Sequence, residues 1–95
     1  MILAEISIVP IGSGTGVSKF VKASLKSIEE SGLKFTVGPM GTTIEANSLN
    51  EIFDIIGKAH KAVIDMGALR VITTIKIDDR KDKELSIERK LNSLK

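Results

Sequence analysis

The amino-acid sequence predicts an α+β fold with the element order β-α-β-β-α-β and an extra helix at the C-terminus. Four stretches have the composition or the alternation of β-strands, and two longer stretches space their apolar residues as amphipathic helices do. Glycine and proline stand at several junctions between these stretches. The order matches the split βαβ, or ferredoxin-like, pattern, in which two helices cover one face of an antiparallel sheet. We expect the 95 residues to form a single ferredoxin-like domain over residues 1–95.

The first half of the chain is predicted to form a strand, a helix and a second strand. The strand Ile2–Val9 alternates between an aliphatic face and a face that mixes apolar and polar side chains. The helix ends at Gly32, and Thr15 and Ser18 are the candidates for its N-terminal cap. The second strand is Leu33–Val37. The apolar stripe of the helix consists of Val17, Phe20, Val21, Leu25 and Ile28.

The second half is predicted to add two strands and two helices. A Gly-Pro turn leads into the strand Met40–Ala46, and residues 48–51 form a capping box that starts the second helix. That helix ends at Gly67 and is followed by the strand Ala68–Asp78. From about Asp82, apolar residues at i, i+4 and i+7 predict a short helix that docks on the rest of the fold. The stripe of the second helix consists of Leu49, Ile52, Phe53, Ile56, Val63 and Met66.

One face of the predicted sheet is left uncovered by the first two helices. It mixes aliphatic side chains with both signs of charge, which suits a contact between two copies of the same surface. We therefore expect a second copy of the chain to cover this face. Its side chains are Leu3, Glu5, Ser7, Val9, Thr43, Glu45, Arg70, Ile72, Thr74, Lys76 and Asp78.

The composition argues against several classes of function. Fourteen basic and twelve acidic residues are interspersed and leave a net charge of +2, so nucleic-acid binding has little support. Three phenylalanines are the only aromatic residues, too few for the stacking surface of an RNA-recognition motif. The absence of cysteine rules out disulfides and thiolate chemistry and favours a cytoplasmic location. No stretch approaches the roughly 20 apolar residues of a membrane span, so we expect no membrane partner.

The segment Pro10–Phe20 holds three glycines at every second position and invites comparison with phosphate-binding loops. The dinucleotide fingerprint requires another glycine spacing and a distant acid, and the Walker motif requires Gly-Lys-Ser/Thr, so both fail here. An acylphosphatase-like cradle requires an arginine just past the loop, where this chain has Lys19 and Lys22. A flexible crossover loop and a weak anion site are the two interpretations left open.

Two polar residues deserve separate consideration. His60 is the only histidine and lies beside the apolar stripe of the second helix, so we interpret it as a hydrogen-bonded structural residue. A metal site would have to combine it with acids such as Asp78, and the spacing does not call for one. Glu45 is an acid inside a strand, which is unusual. It either pairs with Arg70 or Lys76 across the sheet or accepts hydrogen bonds from a cationic or amidine-like ligand.

The sequence resembles the small thiamine-binding protein family over nearly its whole length, to about Lys83. The resemblance rests on the segments IVPIG, SKFV, VGPMGTTIEA, KAH and LRVITTIKIDDR. The chain departs from the family pattern at Phe20, where tyrosine is common, and at Ala46, where glycine is common. The resemblance implies a ferredoxin-like fold, assembly into dimers and tetramers through sheet packing, and no catalysis. It also implies binding of thiamine or a pyrimidine-like ligand near subunit interfaces.

This resemblance leads us to expect a non-enzymatic, oligomeric protein that binds thiamine or its hydroxymethylpyrimidine moiety, with no cofactor and no metal. The Glu45 carboxylate would accept hydrogen bonds from the aminopyrimidine and offset the thiazolium charge. Two alternatives stay open: a structural or regulatory assembly with another ligand or an anion, and an acylphosphatase-like hydrolase. The expected ligand-binding residues are Glu45, Thr43, Thr42, Ser18, Met40, Ser7, Arg70 and Asp78.

Overall fold

The predicted fold class is confirmed by a computed structural model, which describes residues 1–12, 14 and 16–95. Four strands form one antiparallel sheet in the order β2-β3-β1-β4. α1 and α2 pack against each other and against one face of this sheet, and α3 packs on the other face. The elements are β1 (Ile2–Pro10), α1 (Ser18–Glu30), β2 (Lys34–Val37), β3 (Thr42–Ala46), α2 (Leu49–Asp65), β4 (Val71–Asp78) and α3 (Ile87–Asn92).

The principal core lies between the sheet and the pair formed by α1 and α2. The alternation predicted for the first strand is confirmed, because its even-numbered residues Ile2, Ala4 and Ile6 are buried in this core. Ile44 of β3 and Ile52 of α2 are completely covered. Each such isoleucine contributes about 1.5–3 kcal/mol relative to an exposed position. Burial on this face therefore determines which side of each strand points inward.

α2 begins where the sequence predicts it. The Ser48 hydroxyl accepts a hydrogen bond from the Glu51 backbone N–H (3.2 Å), and the Glu51 carboxylate accepts one from the Asn47 N–H (2.8 Å). These two bonds satisfy backbone donors that have no partner inside the helix. The helix ends before Gly67, whose φ of +102° is open to glycine at little steric cost.

The start of α1 differs from its prediction. Ser18 is the first helical residue rather than the cap, and Val17 occupies the cap position without a side-chain hydrogen bond. Thr15, the other candidate, lies outside the described residues. Gly32 ends the helix with a φ of +76°, as its position after the apolar stripe predicts.

Two strands begin later than predicted. Residues 38–41 form a turn closed by a hydrogen bond from the Gly38 N–H to the Gly41 carbonyl (2.8 Å), so β3 starts at Thr42 rather than Met40. Residues 67–70 precede β4, which begins at Val71, and Leu69 is 97% exposed there. Alternation of apolar and polar residues indicates a strand, but it does not show at which residue the pairing with a neighbouring strand begins.

The apolar stripes of the helices are narrower than predicted. Val21 and Phe53 are about half exposed, at 42% and 54%. Phe53 lies one residue, or about 100° of helical rotation, beyond Ile52, so its ring falls outside the buried arc. That arc consists of Ile52, Ile55, Ile56, Ala59 and Val63.

α3 covers part of the sheet face that the sequence leaves open. Leu85 and Ile87 pack on Leu3 of β1 and form a small second core, in which all three are at most 6% exposed. Lys90 adds an ion pair with Asp78 at the end of β4 (2.8 Å). The prediction that α3 docks is therefore confirmed. Among the helices of the described residues, none is long and apolar enough to cross a membrane.

Candidate functional site

The first candidate site is a cleft on the helical side of the sheet, which we call the α1 cleft. It has a volume of about 320 Å³ and lies between α1, the second half of β1 and the turn at residues 38–41. Aliphatic side chains form most of its walls, and none of its described lining residues carries a charge. Its walls include Ile6, Ile8, Val21, Leu25, Ile28 and Val37.

Hydroxyl groups supply the side-chain polarity of the α1 cleft. Thr42 begins β3 and is 8% exposed, and its hydroxyl forms no hydrogen bond with any described residue. Ser24 is equally buried and donates a hydrogen bond to the Val21 carbonyl (2.9 Å), which leaves its oxygen free to accept. The cleft can therefore offer hydrogen bonds to a small, uncharged, mostly apolar ligand.

The mouth of the α1 cleft is formed by the turn between β2 and β3. Met40 lies at the tip of this turn and is 87% exposed. Gly41 is needed for close packing, because a Cβ atom there would lie 3.0 Å from the Ile6 carbonyl oxygen and 3.4 Å from Glu5 Cγ. The contact with the Ile6 oxygen is tighter than ordinary van der Waals spacing, so this glycine lets the turn approach β1.

The second candidate site is a groove of about 450 Å³ on the opposite face of the sheet, which we call the open-face groove. Its walls are charged, with Glu5 and Asp78 against Lys76 and Lys90. Thr43 lies at its edge, on the strand next to Glu5. Two charges of each sign leave this groove near neutrality, so it lacks the excess negative charge that would favour a cation.

Glu45 lies on the same face as the open-face groove but is covered by α3. It is 8% exposed, and its Oε2 accepts a hydrogen bond from the Ile87 backbone N–H (3.2 Å) at the start of that helix. Its neighbours in the sheet are Leu3 on β1 and Lys34 on β2. The suggested pairing with Arg70 or Lys76 is therefore wrong, because β1 separates β3 from β4.

The eight residues predicted to bind a ligand do not form one site. Thr42, Met40 and Ser7 border the α1 cleft, although alternation along β1 puts the Ser7 side chain on the other face. Thr43 and Asp78 line the open-face groove. Glu45 lies beneath α3, and Ser18 lies at the start of α1 in a shallow depression with Lys22. Arg70 precedes β4 and contributes its carbonyl to the Ile11 N–H (2.8 Å). The role of each as a ligand contact stays a prediction.

His60 connects α2 to the edge strand of the sheet. Its Nδ1 lies 2.6 Å from the Thr73 hydroxyl, and the ring is half-buried between helix and strand. This contact supports the interpretation of His60 as a structural residue. Among the described residues, no three histidine, aspartate or glutamate side chains are grouped to hold a metal ion.

The segment between β4 and α3 carries an exposed ion pair. The Arg80 guanidinium donates hydrogen bonds to both carboxylate oxygens of Asp82 and lowers the pKa of Asp82 to about 2. Both side chains are open to solvent, so the pair adds little to stability.

Lys19, considered above as a phosphate contact, places its ammonium 5.0 Å from the centre of the Phe20 ring.

Two features of the α1 cleft were not predicted from the sequence. Ser24 lies in a polar-looking part of the helix, and its burial follows from the packing of α1 beside Ile28. The signal in the sequence is helical spacing, because Phe20, Ser24 and Ile28 are four residues apart. Including small hydroxyl residues in the apolar stripe of the helix would have predicted that Ser24 is buried. The other feature is the free edge of β1, which depends on where β3 begins.

The family model for thiamine-binding proteins matches residues 4–95 of this chain. The chain belongs to the thiamine-binding protein family. It is 42% identical over 93 residues to UPF0045 protein MJ1052 of Methanocaldococcus jannaschii, a match that covers 98% of this chain and 91% of that protein. It is also 36% identical over 96 residues to a UPF0045 protein of Methanothermobacter thermautotrophicus, covering 100% and 97%. The family resemblance read from the sequence is thereby confirmed.

Solved structures of similar proteins have the same fold. The crystal structure of MJ1052 superposes on this thiamine-binding family member with a TM-score of 0.91 and covers 98% of this chain and 94% of the other. A Thermotoga maritima protein, described as a candidate for thiamine biosynthesis or salvage, superposes with a TM-score of 0.83 over 99% and 98%. Its sequence identity is 24%, so that likeness concerns the fold alone.

Proposed function

We propose that this protein binds thiamine or its hydroxymethylpyrimidine moiety in the α1 cleft and catalyses no reaction on it. The observation that carries the proposal is an apolar cleft of about 320 Å³ with hydroxyls from Thr42 and Ser24, in a member of the thiamine-binding protein family. An aminopyrimidine ring is flat, uncharged at neutral pH and rich in hydrogen-bonding atoms. Such a ligand suits an apolar pocket with a few polar groups.

Binding without catalysis is supported by the chemistry of the cleft. General acid–base catalysis requires a titratable group within hydrogen-bonding reach of the substrate. The described lining residues of the α1 cleft include no aspartate, glutamate, histidine or lysine. The hydroxyls of Ser24 and Thr42 have no adjacent base that would make them nucleophiles. The cleft thus favours retention of an intact ligand.

The test is isothermal titration calorimetry with thiamine and with hydroxymethylpyrimidine, using two neighbouring threonines as variant and control. Thr42→Val removes the hydroxyl in the cleft and keeps the shape, so we expect an affinity loss of about 2- to 10-fold, the value of one neutral hydrogen bond. Thr43→Val makes the same change on the opposite face and should leave affinity unchanged. The absence of binding heat and thermal shift with both ligands would refute the function.

We further propose that the protein acts as a homo-oligomer that uses the open sheet face. Val9 and Ile72 are partners on that face, at the end away from α3, and are 44% and 45% exposed. Glu5 and Lys76 are cross-strand partners on the same face, with the Ser7–Thr74 pair between them and Val9–Ile72, so two copies can present opposite charges to each other. Light scattering after gel filtration should give a dimer or tetramer mass. Ile72→Lys should lower that mass, and a wild-type monomer would contradict the assembly.

A further inference from the structure

β1 is longer than its partner on one side. It pairs with β4 from Leu3↔Asp78 through Pro10↔Val71, but its pairing with β3 ends at Ile6↔Thr42. On the N-terminal side of Thr42, residues 38–41 form a turn that leads away from β1 to β2. The last residues of β1 therefore have a strand on the β4 side only.

The direction of the free backbone groups follows from the ladder. Successive residues of a strand send their N–H and C=O groups alternately to the two sides. The Ile11 N–H donates to the Arg70 carbonyl (2.8 Å), which extends the pairing of β1 with β4 by one residue. Odd-numbered residues of β1 therefore direct their N–H and C=O groups toward β4. Even-numbered residues of β1 consequently direct these groups toward β3. The short distance from Ile6 O to a Cβ built on Gly41 (3.0 Å) agrees with this assignment.

Ile8 is the first even-numbered residue of β1 after the last pair with β3, Ile6↔Thr42. By this alternation its N–H and C=O point to the β3 side, where Ile8 lines the α1 cleft, and no described residue outside the strands forms a backbone hydrogen bond with it. The next even-numbered residue is Pro10, which has no N–H to leave unpaired. Unpaired backbone groups beside apolar walls are costly, so a ligand that satisfies both gains binding energy.

We propose that the Ile8 backbone edge recognises the 4-aminopyrimidine edge of the ligand, an inference that rests on the proposed function. The 4-amino group donates a hydrogen bond to the Ile8 carbonyl, and the adjacent ring nitrogen accepts one from the Ile8 N–H. One residue offers one donor and one acceptor on the same side of a strand, which matches the neighbouring donor and acceptor of the ring. Thr42, the cross-strand partner of Ile6, lines the same cleft, and its hydroxyl can meet a further ring or substituent atom.

This arrangement also sets the orientation of the ligand. The pyrimidine lies against the aliphatic walls formed by Val21 and Leu25, and the thiazolium end points to the mouth beside Met40. A permanently charged ring is costly in an apolar pocket, whereas the 87% exposed tip of the turn leaves it in contact with water. The ligand specificity of the site thus resides mainly in backbone groups.

The first arm of the test compares thiamine with its 4-oxo analogue by calorimetry on the wild-type protein. In the analogue an acceptor replaces the 4-amino donor and N3–H replaces the ring acceptor, so both hydrogen bonds to Ile8 are lost. We expect at least about 30-fold weaker binding. Binding of both within threefold would overturn the inference while leaving the proposed function intact, and binding of neither would refute the proposed function itself.

The second arm removes the donor from the protein. Ile8→Pro deletes an N–H that takes no part in the ladder, and Pro10 already shows that proline is accepted on this side of β1. We expect a tenfold or greater loss of affinity for hydroxymethylpyrimidine. Ile8→Val, which trims the side chain and keeps the N–H, should bind within threefold of wild type. Equal affinity of a folded Ile8→Pro protein would overturn the inference, and the analogue comparison decides it if that variant does not fold.

Discussion

Replacing Glu45 by alanine should loosen α3 rather than only empty a ligand site. The Glu45 carboxylate accepts the hydrogen bond of the Ile87 N–H (3.2 Å) in a position where both groups are buried. A hydrogen bond to a charged group contributes about 1.5–3 kcal/mol. Losing about 2 kcal/mol of that contribution makes local opening of α3 about 30-fold more frequent, since each 1.4 kcal/mol is a factor of ten.

Amide hydrogen exchange measures this opening directly. In Glu45→Ala the amide of Ile87 should exchange about 30-fold faster than in wild type, whereas the amides of Ile52 and Ile56 in α2 should change much less. Glu45→Gln keeps an acceptor oxygen without the charge and should give a smaller effect. The expected loss of global stability is at most about 2 kcal/mol, because α3 and its small core lie outside the principal core.

Glu5→Ala is the matched control for this experiment. It removes a carboxylate from the neighbouring strand on the same face, where the side chain is exposed and forms no ion pair with any described residue. Unchanged Ile87 exchange in Glu45→Ala would refute the anchoring role. Titration of the same variants with thiamine tests the other role predicted for Glu45. A ligand bound in the α1 cleft predicts unchanged affinity, whereas a large loss in a folded Glu45→Ala protein would place the ligand beside Glu45.

Two further substitutions test the packing around the sheet. Gly41→Ala should destabilise the protein by about 1–3 kcal/mol in urea unfolding, because the added methyl meets a backbone oxygen at 3.0 Å. Gly57→Ala in α2, where the added methyl meets open space, should instead stabilise the protein by up to about 1 kcal/mol. Thr73→Val should cost about 1 kcal/mol by removing the hydroxyl that His60 contacts at 2.6 Å, and Thr73→Ser should retain most of that stability. An unchanged unfolding midpoint for Gly41→Ala or Thr73→Val would contradict the corresponding argument.

The sequence named candidate site residues one by one, and the structure shows how the sheet distributes them over two faces. Thr42 at the start of β3 and Met40 in the turn before it both border the α1 cleft, and their contact with a ligand stays a prediction. Alternation along β3 places Thr43 and Glu45 on one face of the sheet and Thr42 on the other, so Thr42 and Glu45 do not line one pocket. What the sequence did not show is that α3 packs over Glu45 while the α1 cleft opens beside Thr42, because both depend on contacts between distant segments.

The local pattern of the chain was enough to determine the element order, the buried face of β1 and the ends of α2. These properties depend on near neighbours: alternation along a strand, the serine cap at residue 48 and the glycine that follows the helix. The tertiary structure alone decided that α3 covers Glu45 and that the pairing of β1 with β3 stops at Ile6, two residues before Ile8. Both depend on contacts between distant segments, since the position of Leu85 on Leu3 and the register of β1 with β3 have no signal within either segment. The cleft and its free backbone edge follow from that register.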